Sequence, residues 1–116
     1  MLEKTIEKHL RKVAVNSGLT PYKFVSPNHR GVPDQLVLGS LETLRSALYD
    51  VTGVILDDAG LRCLMASVVQ FAECKREGEK PTVIQQREHA RLQKMGFTVN
   101  VVDSCEAAAK ALGLKS

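Results

Sequence analysis

With 116 residues, 44% of them hydrophobic, the chain has material for one domain with a real core and too little for two. Its net charge of +3 is compatible with a nucleic-acid partner but is shared by many small proteins without one. The lack of Trp and an aromatic content of 4% argue against the base-stacking platforms of single-strand binders.

Leu2, Ile6, Leu10 and Val13 recur at helical spacing and Gly18 follows, so residues 2–16 are predicted as an amphipathic helix. Tyr22-Lys23-Phe24-Val25 reads as a short strand. Residues 26–34 are rich in turn formers and carry His29 and Arg30. Gln35-Leu36-Val37-Leu38 reads as a second strand, ended by Gly39. In the stretch 40–70, Leu41, Leu44 and Leu48 indicate a helix, Val51–Leu56 an extended segment, and Leu61, Leu64, Met65 and Val68 a further helix after Asp57-Asp58. Phe71–Lys75 is predicted as a strand. Arg76–Lys80 is a charged loop containing Gly78. Pro81-Thr82 opens a helix through a Thr82-x-x-Gln85 capping box, and Gly96 closes it. Phe97–Val102 alternates as a strand, and Asp103-x-x-Glu106 is read as the capping box of an Ala-rich last helix.

The order is helix, two strands, an insert, strand, helix, strand, helix. Its second half predicts a strand–helix–strand unit with a right-handed crossover and a parallel pair. The fold class is α/β, or α+β if the first two strands pair as antiparallel neighbours. No repeat or linker interrupts residues 1–116. Cys63, Cys74 and Cys105 are odd in number and form no Cys-x-x-Cys pair, which argues against structural zinc and fits free thiols in an intracellular, cytoplasmic setting. Cys74 is expected as a small core residue. The charged start Met-Leu-Glu-Lys lacks an apolar signal run, and no segment has the apolar length of a membrane span, so no membrane partner is expected.

In a strand successive side chains alternate faces, so Glu73 and Lys75 share one face while Ala72 and Cys74 take the other. Mg²⁺ takes oxygen ligands, one or two of them carboxylates, and keeps several waters. Asp34, just after the Gly31-Val32-Pro33 turn, and Glu73 supply candidate carboxylates, and the backbone carbonyl of Cys74 a third oxygen. Lys75 would then stand beside an activated water, to orient it, help deprotonate it or neutralise charge on a pentacovalent phosphate. Glu-x-Lys alone is a common pattern and Pro-Asp alone is a turn. What gives them meaning is their order within this set of elements.

In that order the chain resembles the VRR-NUC family of the PD-(D/E)xK nuclease superfamily, from about residue 3 to about residue 107 outside the insert. The marks are Ile6-Glu7, Lys23-Phe24-Val25-Ser26, Arg30-Gly31-Val32-Pro33-Asp34, Glu73-Cys74-Lys75, Gly78-x-Lys80-Pro81, Gln85 and Leu92-x-x-x-Gly96-Phe97. The resemblance implies a mixed sheet flanked by helices and a Mg²⁺- or Mn²⁺-dependent nuclease. It implies Asp34 and Glu73 as metal ligands, Lys75 as the catalytic lysine and Glu7 as a first-helix glutamate turned toward the metal, with Glu3 the alternative. Gln85, or its neighbour Gln86, matches the glutamine that opens the helix after the catalytic strand. Stand-alone members resemble four-way-junction resolvases in forming dimers, so a homodimer acting on branched DNA is expected. The insert is longer than the strand-to-strand link expected in this family, and its leucines complete the core or face a second subunit.

Basic side chains make many of the phosphate contacts in protein–DNA complexes. His29, Arg30, Lys80, Arg87 and His89 are candidates, and His89 stands out because it lies one helical turn after Gln85. His9 is expected on the side of the first helix with no chemical role. The competing reading is a non-catalytic DNA-binding or assembly module on a nuclease-like fold. The joint presence of Asp34, Glu73 and Lys75 argues against it.

Overall fold

The computed structural model describes residues 2–24 and 33–111. His29 and Arg30, expected on phosphates, lie outside the described residues, as do Val25, Ser26, Gly31 and Val32 among the marks of the resemblance. The chain divides into two compact units, Met1–Gly53 and Val54–Ser116, which are taken in turn.

The first unit opens with helix α1, Glu3–Asn16. Its stop is the predicted one. Gly18 adopts φ 78° while Leu19 N–H reaches the Ala14 carbonyl at 2.9 Å and Gly18 N–H the Val15 carbonyl at 3.1 Å. This is the Schellman arrangement, which satisfies carbonyls the helix leaves open and needs a left-handed residue at the turn. The chain then enters β1, Thr20–Lys23, which pairs antiparallel with β2, Gln35–Leu38, in the register Thr20↔Leu38 to Lys23↔Gln35. The Phe24 N–H bonds the Asp34 carbonyl at 2.8 Å, so the ladder runs one residue further and fixes the backbone of Asp34 at the base of the pair. The first strand begins two residues earlier than its apolar content indicates. Helix α2, Leu41–Thr52, follows, opened by a bond from Ser40 N–H to Thr43 Oγ1 and closed by Gly53 at φ 72°. Among the described residues of this unit, Ala14, Leu38 and Leu41 are the buried apolar side chains.

The second unit begins with helix α3, Asp58–Val68, capped by Asp57, whose Oδ1 accepts from Gly60 N–H at 2.8 Å. The extended segment expected at Val51–Leu56 is therefore absent: Val51 and Thr52 finish α2 and no strand forms before Asp57. The insert is a pair of helices. Strand β3, Gln70–Cys74, pairs parallel with β4, Thr98–Val102, in the register Gln70↔Thr98 to Cys74↔Val102. Between them runs α4, Val83–Met95, with both halves of the predicted capping box formed: Thr82 N–H to Gln85 Oε1 at 3.0 Å and Gln85 N–H to Thr82 Oγ1 at 3.2 Å. Gly96 at φ 109° ends α4, with Phe97 N–H on the Leu92 carbonyl. Leu61, Met65, Leu92 and Phe97 form the core of this unit, Leu61 with no exposed surface, and Phe71 meets Phe97 edge-on at 5.4 Å.

The last helix, α5, Cys105–Ala111, is capped differently from expectation. Ser104 Oγ accepts from Ala107 N–H at 3.0 Å, whereas Asp103 turns its carboxylate to the Gly78 N–H at 3.4 Å. Asp103 thus ties down the loop that follows the Glu73–Lys75 tripeptide. Among the described residues no helix is long and apolar enough to cross a membrane.

Candidate functional site

Alternation along β3 is as the residue pattern predicts. Phe71 and Glu73 are half-buried, and so is Lys75 just beyond the strand, while Gln70, Ala72 and Cys74 are exposed. Cys74 is consequently not a core residue. The two-residue period turns it to the opposite face from Phe71, and that face of β3 is open to solvent. The ladder extends past the strand through Lys75 N–H, which bonds the Val102 carbonyl at 2.9 Å. The backbone of Glu73-Cys74-Lys75 is thereby held against β4 along its length.

Glu73 faces α4. His89 Nε2 lies 3.1 Å from Glu73 Oε1, and both side chains are mostly covered, at 16% and 29% exposure. An ionised carboxylate only accepts, so Nε2 is the donor in this contact. Around the pair lies a groove of about 350 Å³, lined by Phe71, Glu73, Ile84, Gln85, His89 and Leu92 among others. Gln85 therefore has both roles open to it, cap of α4 and wall of the groove. Gln86, the alternative, spends its side-chain amide on the Pro81 carbonyl at 2.9 Å. Placing Glu73, Gln85 and His89 in one groove follows from the helix that starts just after the strand: residues four apart on α4 stack on the side that covers β3.

Lys75 is 10% exposed, and its Nζ lies 3.6 Å from Glu79 Oε1. Glu79 is held by a turn in which its own N–H reaches the Arg76 carbonyl at 2.9 Å and Gly78 takes φ 76°. Glu79 is a partner that sequence reasoning missed. The four-residue separation from Lys75 was the available signal, but it carries weight only in a helix, and this segment is a loop. Lys80 and Arg87 are exposed.

In the first unit Asp34 is exposed. Glu7 is half-buried and engaged: Gln35 Nε2 donates to its Oε1 at 2.8 Å and Lys23 Nζ stands 3.7 Å from the same oxygen. Arg11, four residues on, donates instead to Gln35 Oε1 at 3.2 Å. Gln35 thus bridges Arg11 and Glu7, a relay that becomes visible only once β2 lies beside α1. Glu3 and His9 are exposed on α1. Within neither unit do the described residues gather three or more His, Cys, Asp or Glu side chains in the manner of a complete metal cage. Taken each in its own unit, the acidic donors suit a hard cation by type: Asp34 offers carboxylate oxygen in the first unit and Glu73 in the second, where the neighbouring Cys74 has its thiol on the opposite face of β3 from Glu73.

A comparison with curated sequences finds a relative in Acyrthosiphon pisum secondary endosymbiont phage 1, a protein named "Putative nuclease p44". It is 41% identical over 102 residues, which span 88% of this chain and 83% of the relative. No family model matches the chain. No solved structure matches it.

Proposed function

Because the chain belongs to the family of that phage protein, we propose that it is itself a nuclease, and that Glu73 and Lys75 lie at its catalytic centre. The observation that carries this reading is the placement of both side chains on the covered face of β3, with Gln85 and His89 from α4 around Glu73. The finer reading is a PD-(D/E)xK enzyme of VRR-NUC type that hydrolyses phosphodiester bonds in DNA with Mg²⁺ or Mn²⁺. Asp34 and Glu73 are its proposed carboxylate ligands, with the Cys74 backbone carbonyl and Glu7 as further oxygens.

A divalent cation bound there supplies Lewis-acid stabilisation of the phosphate and lowers the pKa of a water. The chain's own residues do the rest. Glu73 presents an oxygen whose direction is set by the bond from His89. Lys75 places an ammonium on the same face, where it offsets negative charge that grows on the phosphate as the nucleophile adds. The Val102 carbonyl and the Asp103 clasp on Gly78 keep the tripeptide and its loop in register, so that little reorganisation is needed as charge develops. Gln85 presents its side chain to the groove from a capped, rigid helix start.

The proposed substrate is branched DNA, a four-way junction above all, and the proposed assembly is a homodimer whose two-fold axis sets one site on each of two strands. The test is cleavage of a panel of four-way junction, flap, splayed arm, duplex and single strand with Mg²⁺, Mn²⁺ or EDTA, together with sedimentation of the free protein. Metal-dependent cutting that favours the junction, by a dimer, is the expected result. A protein that cuts none of the panel with either metal is not a nuclease of this type.

A further inference from the structure

The first unit holds a row of cations that the cleavage chemistry does not use. Lys4, Lys8 and Arg11 recur along one side of α1, and with Lys23 of β1 and Glu7 they line an open hollow of about 460 Å³. Four cations thus face a single carboxylate. That carboxylate is already engaged by Gln35 and Lys23. Arg11 is oriented by Gln35, and Lys23 extends from the end of a paired strand, so two of the four cations are set by the fold. Lys4 and Lys8 are exposed.

We infer that this hollow binds the sugar-phosphate backbone of the DNA substrate. The inference rests on the nuclease reading for the identity of the polyanion, and on the hollow for the place. A helix rises about 1.5 Å per residue, so Lys4 to Arg11 spans roughly 10.5 Å. One strand of duplex DNA presents more than one phosphate over that length. A row of three cations along α1, flanked by a fourth from β1, matches a run of phosphates and not a single small anion. The contacts are to backbone and carry no base readout, so they add affinity without sequence preference. They also give a structure-selective enzyme a grip on a duplex arm.

The experiment is the salt dependence of binding, measured by fluorescence anisotropy on a labelled duplex in EDTA, where no chemistry runs. The variant is Lys4→Gln with Lys8→Gln, since Gln and Lys have nearly equal helix propensity and neither lysine supports the Gln35 relay. Each lost phosphate contact lowers the slope of log K against log salt by about 0.9, so the double variant loses about 1.8, and its binding at 0.1 M salt weakens more than about tenfold. The pair Lys4→Arg with Lys8→Arg restores the wild-type slope. An unchanged slope in the Gln variant overturns the proposal, as does a wild-type protein that binds acidic lipid vesicles but no DNA. The nuclease reading fails separately, by absence of cutting with Mg²⁺ and Mn²⁺ in a protein whose DNA binding still depends on Lys4 and Lys8.

Discussion

His89 reaches across from the middle of α4 to hold one oxygen of Glu73, Nε2 to Oε1 at 3.1 Å, with both side chains largely shielded from water. A carboxylate fixed on one oxygen presents the other in a defined direction. Partners that orient a metal-binding carboxylate in this way typically contribute 10–100-fold to metal affinity or activity, and about the same is expected here. His89→Ala should slow cleavage by roughly that factor and raise the Mg²⁺ concentration needed for half-maximal rate. His89→Gln, which retains a donor, should recover part of the loss. A Mg²⁺ titration of initial rates for the three proteins decides it.

Glu73→Ala and Lys75→Ala should each reduce cleavage by more than about 100-fold, the scale seen when one group that stabilises transition-state charge is removed. Far-UV circular dichroism should stay at the wild-type signal, because neither side chain belongs to the apolar core. Cutting at the wild-type rate by either purified variant would move the catalytic centre elsewhere.

Metal uptake can be read without cleavage. Calorimetry with Mn²⁺ should show saturable binding to the wild-type protein, weakened by at least about tenfold in Glu73→Ala and in Asp34→Ala. A protein that binds DNA yet takes up no Mn²⁺ would favour the non-catalytic module over the enzyme.

Gln85 serves the α4 cap and lines the groove, and one substitution separates the two roles. Glu at this position preserves a capping box. Gln85→Glu should therefore leave the melting temperature close to wild type while lowering cleavage. Thr82→Ala should do the reverse, costing about 1 kcal/mol of stability with cleavage retained. Thermal melts and rates on the same preparations make the comparison.

Leu61 of α3 is fully buried. Leu61→Ala should cost about 2–5 kcal/mol by removing buried methyl groups and leaving a cavity. Urea unfolding of the two proteins gives the difference directly.

The half of the chain after the insert was legible because its signals are local. A capping box, a closing glycine and a two-residue alternation each name their own position, and α4, β4 and the facing of Glu73 and Lys75 follow from them. Where several residues competed for one task, the pattern misled. Asp103 and Ser104 both suit a cap, and the structure gives the cap to Ser104 because Asp103 is drawn to a loop twenty-five residues away in sequence. Val51, β-branched, is by propensity the better strand residue, yet it finishes α2 just ahead of the left-handed Gly53. The partners of Glu7 and Lys75 were hidden for a like reason. Gln35 and Glu79 acquire meaning only from the pairing of β1 with β2 and from the turn at Gly78, neither of which any short window of residues encodes.

The stretch from β3 to β4 carries Glu73, Lys75, Gln85 and His89 in one unbroken run of chain, with its own cap, stop and clasp. Heredity can treat such a run as a cassette. A genetic crossover with one end in the segment before α3 and the other beyond Val102 would move the tripeptide, its loop and its imidazole together, already in register.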